Sequence, residues 1–298
     1  MTLIRINNDQ LPDKAALAAA AALPEGAPVI AMIHGFRFSP AASEADPHRH
    51  ILALDPDPAS RRVMSWPRAL GFDDSGGGGL ALAYGWEARG SLNSAYLRAD
   101  AAGESLARCI DLLAQNAGRP IALIGHSLGA RVALSALHHV TPGTVSRAIL
   151  LTAAEFRCAA ASAMASPAGQ QAEIINITSR ENDLFDFGME LLIGGLRRQT
   201  LGFGLAEPVR NWIDVQIDDA DTLAALAGLG FQVDRRALRL SHWSPYLRPG
   251  VFDFYRTALR QPWALPMGLL RGALPVRPTP RWSRLFALPA DVSGVLRA

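Results

Sequence analysis

Six short stretches of the chain are almost continuously hydrophobic, and polar residues, glycine or proline bound each of them. Strands that are buried on both faces of a parallel sheet have this composition, because neither face is open to water. We therefore predict strands at residues 28–34, 80–86, 120–125, 147–153, 172–178 and 211–217.

Longer amphipathic patterns separate these stretches. Residues 92–117 carry apolar side chains at helical spacing and are followed by Gly118, a typical helix stop. Residues 128–139 predict a second helix, and residues 15–23 predict one near the N-terminus. Strands that alternate with helices in this way predict an α/β fold with a mostly parallel sheet flanked by helices.

Three segments depart from this alternation. Residues 36–79, rich in Pro, His and Arg, predict an excursion above the sheet, and residues 184–210 predict a small cap. We expect both to be insertions in a single domain that spans residues 1–260. Residues 261–298 contain six prolines, which forbid a long helix, and we expect an extended tail packed on the body.

The charge balance of the 298-residue chain excludes one class of partner. The formal net charge is only +2, whereas a nucleic-acid-binding surface needs a strong basic excess, so we expect no nucleic-acid partner. Residues 256–298 hold seven Arg and one acid, and residues 1–255 are mildly acidic. We expect this tail to dock on the acidic body or on a second copy of the chain. A membrane is a poorer partner, because the prolines interrupt any amphipathic helix.

The remaining composition favours a cytoplasmic protein. No hydrophobic run approaches the roughly 20 residues that span a bilayer, and residues 15–23 lack the cationic start of a signal peptide. Cys109 and Cys158 form neither a disulfide framework nor a metal-ligand spacing. We therefore predict that both cysteines are small buried apolar residues and that the chain holds no metal.

Residues 125–129, with the sequence GHSLG, match the G-x-S-x-G pattern of a nucleophile elbow. They lie between a predicted strand and a predicted helix, which is the context that this motif requires. A sharp turn there holds the serine in a strained conformation, and the flanking glycines remove side chains that would collide. We predict that Ser127 is a nucleophile exposed at the start of the helix.

A serine hydroxyl needs a base, and histidine is the usual one. Among the histidines that follow Ser127, His138 and His139 lie along the helix that begins at the nucleophile. They are roughly 16 Å away at 1.5 Å per residue, too far to take its proton. His242, in a polar and aromatic loop after the last predicted strand, is therefore the predicted base.

The base must in turn be oriented by an acid. Asp183 follows the predicted strand 172–178 in an S-x-x-N-D turn that aims a carboxylate over the edge of the sheet, and we predict that it is this acid. Asp186, one helical turn later, and Glu155, at the end of the preceding strand, remain alternatives.

Backbone N–H groups should stabilise the oxyanion that forms during acyl transfer. We predict the N–H of Leu128, directly after the nucleophile, and the N–H of Phe36, in the loop after the first predicted strand. His34 is expected to brace this loop through a hydrogen bond. Arg37 and Phe38 are candidates for the mouth of the pocket.

Together, the His-Gly pair at 34–35, the GHSLG segment at 125–129, Asp183 and His242 resemble the α/β-hydrolase superfamily, of the bacterial serine esterase or lipase type. The resemblance covers roughly residues 28–257 and includes the family's order of nucleophile, acid and base. It implies an α/β-hydrolase fold and cleavage of a small-molecule carboxylic ester or thioester through an acyl-serine intermediate. It implies no metal or organic cofactor.

Two other functions would use the same residues. An acyltransferase would pass the acyl group to an alcohol or amine while the cap excludes water. A non-catalytic binding protein would keep the scaffold without an activated serine. Of the three functions, we predict ester hydrolysis.

Overall fold

Seven parallel strands form one sheet in the centre of the molecule. The computed structural model of the protein describes residues 3–58, 63–73, 78–236, 238–276 and 278–286. The strands are β1 (Leu3–Asn7), β2 (Val29–Ile33), β3 (Leu80–Gly85), β4 (Ile121–His126), β5 (Val145–Leu151), β6 (Glu173–Thr178) and β7 (Trp212–Gln216). Their order across the sheet is β1-β3-β2-β4-β5-β6-β7, and each neighbouring pair is parallel. The predicted α/β class is confirmed.

All six predicted strands are present, with bounds that differ by at most two residues. The prediction misses β1, which lies at an edge of the sheet and has only two fully buried side chains, Ile4 and Ile6. A strand that is covered on one face only alternates apolar with polar residues, and five residues of such alternation are a weak signal.

Helices cover both faces of the sheet. The α-helices of the described residues are α1 (Lys14–Ala21), α2 (Trp66–Ala69), α3 (Leu92–Ala117), α4 (Leu128–Ala136), α5 (Arg157–Ala165), α6 (Asp183–Met189), α7 (Ala220–Gly228), α8 (Ser244–Leu247), α9 (Val251–Arg260), α10 (Met267–Ala273) and α11 (Ser283–Phe286). A π-helical turn at Glu190–Gly194 extends α6. None of these helices combines the length and the apolar composition that a bilayer crossing requires.

The strand β2 shows how the sheet joins two hydrophobic cores. Successive side chains of a strand point to opposite faces. Val29, Ala31 and Ile33 therefore pack with residues of α1, α3 and α4, while Ile30 and Met32 pack with residues of α7 and α9. Burial on both faces is the physical reason why these strands are apolar at every position.

The two helices around the elbow are fixed by their ends. The hydroxyl of Ser91 accepts the N–H of Ser94 at the start of α3, and Gly118 ends this helix with a φ of 64°. The helix α4 ends at Ala136, three residues before the predicted end at residue 139, and hydrogen-bonded turns follow it. The prediction for Cys109 agrees with its burial, but that for Cys158 is wrong, because this cysteine is exposed on α5.

The excursion between β2 and β3 packs against the body through its described residues. Trp66, in α2, is fully buried and lies 5.6 Å from the ring of Tyr246. Residues 59–62 and 74–77 of the predicted excursion lie outside the described residues.

The described part of the tail also packs on the body. Leu265, Met267 and Leu270 are buried in the same core as α9. Thr279 exchanges hydrogen bonds with the side chain of Gln216 at the end of the edge strand β7. Residues 277 and 287–298 lie outside the described residues, and assembly through the tail stays a prediction.

The side chain of Arg147 joins the sheet to the tail. It is almost fully buried in β5, and its guanidinium lies 2.5 Å from the carboxylate of Glu173 in β6. The same guanidinium donates hydrogen bonds to the carbonyl oxygens of Ala258 and Leu265. A buried guanidinium needs all these partners, because an unpaired buried charge is strongly destabilising.

We expect the substitution Arg147→Ala to lower the free energy of unfolding by about 3 kcal/mol, because it leaves two carbonyl groups and a carboxylate without their donor. Urea denaturation measures this change. Arg108→Ala is the matched control, because the Arg108–Glu104 pair is exposed on α3 and should contribute at most about 0.5 kcal/mol. Equal effects of the two substitutions would contradict the anchoring role of Arg147.

Candidate active site

The backbone turns sharply at Ser127, between β4 and α4. Its φ of 55° and ψ of −121° lie outside the regions that serine normally adopts. The turn persists because its neighbours fix it: the N–H of Ser127 donates to Leu151 in β5, and its carbonyl oxygen accepts the N–H of Ala154. Strain of this kind is held at functional sites by the surrounding structure.

Glycines allow the elbow to pack closely. A Cβ atom on Gly125 would lie 2.5 Å from the carbonyl oxygen of Gly129. A Cβ atom on Gly35 would lie 2.9 Å from the Cβ of Ser127 and 2.8 Å from the carbonyl oxygen of His126. Only glycine fits at these positions, so the loop after β2 can lie directly against the nucleophile.

His242 lies in the same cavity as Ser127. Its Nδ1 is 2.6 Å from the side-chain oxygen Oδ1 of Asn182. Because an amide oxygen only accepts, Nδ1 carries the proton and Nε2 is left with a lone pair. Burial lowers the pKa of His242 well below its ordinary value of 6.5, and the neighbouring His126 lowers it further. The ring is therefore a neutral base at physiological pH.

The structure places Asp183 elsewhere. One of its carboxylate oxygens lies 3.2 Å from the guanidinium of Arg180, and the other accepts the backbone N–H of Trp282 from the tail. The side chain that meets His242 is thus Asn182, one residue earlier in the predicted S-x-x-N-D turn. The turn forms where the sequence indicates, but its amide rather than its carboxylate faces the base.

The two alternative acids have different surroundings. Glu155 accepts hydrogen bonds from Tyr96 and from the N–H of Phe156, and it pairs with the buried guanidinium of Arg131. This network ties α3 and α4 to the end of β5, which is a structural role. Asp186 lines the cavity beside Asn182.

The loop that carries His242 is attached to the turn after β6. The carboxylate of Glu181 is fully buried and lies 2.7 Å from the guanidinium of Arg248. Glu181 also accepts the N–H of Leu238, and its carbonyl oxygen accepts the N–H of Ser241. Sequence reasoning missed these two ionised side chains, although they hold the base and its partner Asn182 together.

His126, inside the elbow, holds the base loop from the other side. Its Nε2 lies 2.9 Å from the carbonyl oxygen of His242, so Nε2 carries the proton. Burial lowers the pKa of His126 to about 4, although this hydrogen bond opposes the shift. The ring is therefore neutral and donates a hydrogen bond that holds the backbone of His242 against the elbow.

His34 braces the loop after β2, as expected from the sequence. Its Nδ1 donates to the carbonyl oxygen of Gly35, its Nε2 accepts the N–H of Trp86, and the Trp86 indole N–H donates to the carbonyl oxygen of His34. Burial lowers the pKa of His34 to about 3, so the ring stays neutral. The backbone N–H of Arg37 donates a hydrogen bond to the carbonyl oxygen of Ala88.

The two residues predicted to stabilise an oxyanion lie near the nucleophile. Phe36 lines the cavity, and Leu128 is the first residue of α4. The N–H groups in the first turn of a helix have no acceptor within the helix and carry a partial positive charge. The N–H of Leu128 is therefore suited to an anionic oxygen near Ser127, and the role of the Phe36 N–H stays a prediction.

The cavity above Ser127 has a volume of about 350 Å³. Its lining is mainly apolar and aromatic and includes Phe36, Phe38, Leu92, Phe185, Met189, Trp243 and Tyr246. Arg37, Thr152 and Asp186 also line it, beside His126, Ser127, Asn182 and His242. The ring of Phe185 stacks on His242 at 4.8 Å. In the described part of the chain, no three His, Cys, Asp or Glu side chains are grouped to hold a metal ion.

The chain has limited similarity to known proteins. A family model described as a protein of unknown function (DUF726) matches residues 88–187, which include the elbow and Asn182 but not His242. No curated protein matches the chain. Among solved structures, the chain is similar to the mature form of the Bacillus licheniformis lipase BlEst2, with 12% identity and a TM-score of 0.39. That match covers 86% of this chain and 96% of the lipase chain.

Proposed function

We propose that the protein is a serine hydrolase that cleaves a carboxylic ester through an acyl-Ser127 intermediate. The observation that carries this proposal is the strained Ser127 elbow in one cavity with His242, whose Nδ1 is held by Asn182. A nucleophile, a base and a group that orients the base are the parts that such catalysis requires.

Each side chain has a role in the proposed reaction. His242 Nε2 accepts the proton of the Ser127 hydroxyl while the Ser127 oxygen attacks the ester carbonyl carbon. The N–H groups of Phe36 and Leu128 stabilise the oxyanion that forms. The protonated ring then gives its proton to the departing alcohol. His242 then takes a proton from water, whose oxygen attacks the acyl-serine carbonyl carbon. As the bond to Ser127 breaks, the ring returns this proton to the serine oxygen and the carboxylic acid leaves.

The cavity supports an ester with an apolar acyl group. Side chains such as Phe38, Leu92 and Met189 offer no hydrogen bonds to a polar acyl chain, whereas burying an apolar one is favourable. A series of chromogenic esters with increasing acyl length would define how much chain the cavity accepts.

We expect Ser127→Ala and His242→Ala each to lower kcat for such an ester by about 10⁴-fold or more, because the two groups act as one unit. His139→Ala, on the exposed end of the segment after α4, is the matched control and should leave kcat unchanged. Labelling by a fluorophosphonate provides a second measurement, since only an activated serine reacts. An unlabelled wild-type protein would indicate a binding protein, and acyl transfer to an added alcohol in preference to water would indicate a transferase.

The pH dependence follows from the low pKa of His242. The base works when it is neutral, so the rise of kcat/KM with pH should begin with a midpoint below 6.5. In Asn182→Asp a carboxylate next to Nδ1 favours the charged ring and should move the midpoint to higher pH. A wild-type profile without any rise below pH 6.5 would contradict the buried, amide-held base.

The partner of the base can be tested directly. We expect Asn182→Ala to lower kcat by about 10²-fold or more, because His242 loses the group that fixes its tautomer. Asp183→Asn should mainly lower the melting temperature, since Asp183 binds Arg180 and the tail. Thermal unfolding and ester turnover of both variants separate the two roles, and a larger loss of kcat in Asp183→Asn would restore Asp183 as the acid.

A further inference from the structure

An amide as the partner of a catalytic base raises a problem of orientation. The side chain of Asn182 has an acceptor, Oδ1, at one end and a donor, Nδ2, at the other. With Oδ1 toward His242, the ring keeps its proton on Nδ1 and offers Nε2 to the nucleophile. A half-turn of the amide would present Nδ2 instead, and the ring would then hold its proton on Nε2, where it cannot act as a base.

The structure contains a group that selects one orientation. Asn182 and Asp186 both line the cavity, at the i,i+4 spacing that brings two side chains of a helix together. A hydrogen bond with the Asn182 side chain pulls the pKa of the Asp186 carboxyl group down. A carboxylate only accepts, so the end of the amide that faces Asp186 is Nδ2. Oδ1 is then left to face His242.

Asp186 is itself held in place. Its side chain is buried, with an exposed fraction of 4%, and Gly202 lies so close to Oδ2 that a Cβ atom there would overlap the carboxylate. The guanidinium groups of Arg180 and Arg281 are its nearby positive charges, and Asp183 is its nearby negative charge. Both arginines also lie against the ring of Phe203, which fixes them around the carboxylate.

These charges oppose one another at Asp186. Burial and Asp183 raise the pKa of its carboxyl group to about 7, although both arginines and Asn182 pull it down. The group is therefore ionised above neutral pH, in the range where His242 is neutral. His242 is already neutral below this pH, so the charge of Asp186 acts on a base that is ready, and its ionisation should add a further rise in kcat near pH 7.

We propose that Asp186 is a positioning residue that fixes the amide of Asn182 and, through it, the tautomer of His242. This inference rests on the proposed function for its catalytic consequence, but the orientation of the amide and the state of the ring exist without any substrate.

The test is a double-mutant cycle with Asp186→Asn and Asn182→Asp. Asp186→Asn alone should lower kcat by about 10- to 100-fold with little change in KM, because a part of the amide population turns. A carboxylate at position 182 has two equivalent oxygens and needs no orientation. In the Asn182→Asp background, Asp186→Asn should therefore change kcat by less than about threefold or raise it.

A second measurement does not depend on activity. In ¹⁵N NMR spectra, wild-type His242 should be the Nδ1–H tautomer, and Asp186→Asn should populate the Nε2–H tautomer. Asp183→Asn is the matched control, because it removes a neighbouring carboxylate that also interacts with Arg180, and it should leave the tautomer unchanged.

The outcomes distinguish the two proposals. The same loss of kcat in both backgrounds, or an unchanged tautomer in Asp186→Asn, would show that Asp186 only stabilises the fold and would overturn the positioning role. The tautomer of His242 could shift in Asp186→Asn while the wild-type protein cleaves no ester and reacts with no fluorophosphonate. That result would support the positioning role and overturn the proposed hydrolase.

Discussion

The close approach of three backbone segments at Ser127 is the constraint on which the site depends. The end of β4, the start of α4 and the loop after β2 meet where Gly35, Gly125 and Gly129 leave no room for a Cβ atom. This packing holds Ser127 at a φ of 55° and places the loop after β2 against it. Because the sheet is parallel, the loops after β5, β6 and β7 open at the same edge and can supply the remaining groups. The geometry of the nucleophile is thus a property of the backbone, and the side chains of the site are added to it.

Buried charges hold those loops in register with the nucleophile. Glu181 and Arg248 connect the turn after β6 to the loop that carries His242, while Arg180 meets Asp183 and lies close to Asp186. Such pairs contribute little net stability, because desolvation offsets much of their attraction, but removing one partner is costly. Their value here is conformational: each fixes a loop in one place. An apolar contact of similar area would allow the loops to slide, and a shift of about 1 Å is enough to impair catalysis.

The sequence was sufficient to predict the elements whose signals are local. Strands buried on both faces are apolar throughout, and the helix over 92–117 ends at a glycine, so these were found within two residues. The edge strand β1 was not predicted because only two of its five side chains are buried.

The turn after β6 was also predicted, but not which of its side chains faces His242. Asp183 is held away from His242 partly by Trp282, whose N–H binds it from 99 positions away. No local pattern records that contact. The same holds for Cys158, whose exposure reflects which face of α5 the body covers.

A neutral amide beside the base changes how the site responds to charge. In the proposed reaction, a carboxylate at this position would stabilise the imidazolium that forms, but it would also favour that ion in the resting protein and so require a higher pH. With Asn182, and with burial under Phe185, His242 stays neutral well below its ordinary pKa. The negative charge is instead on Asp186, which interacts with Asn182 and which two arginines partly balance. The arrangement therefore gives up part of the electrostatic stabilisation of the transition state and keeps the base ready over a wider range of pH.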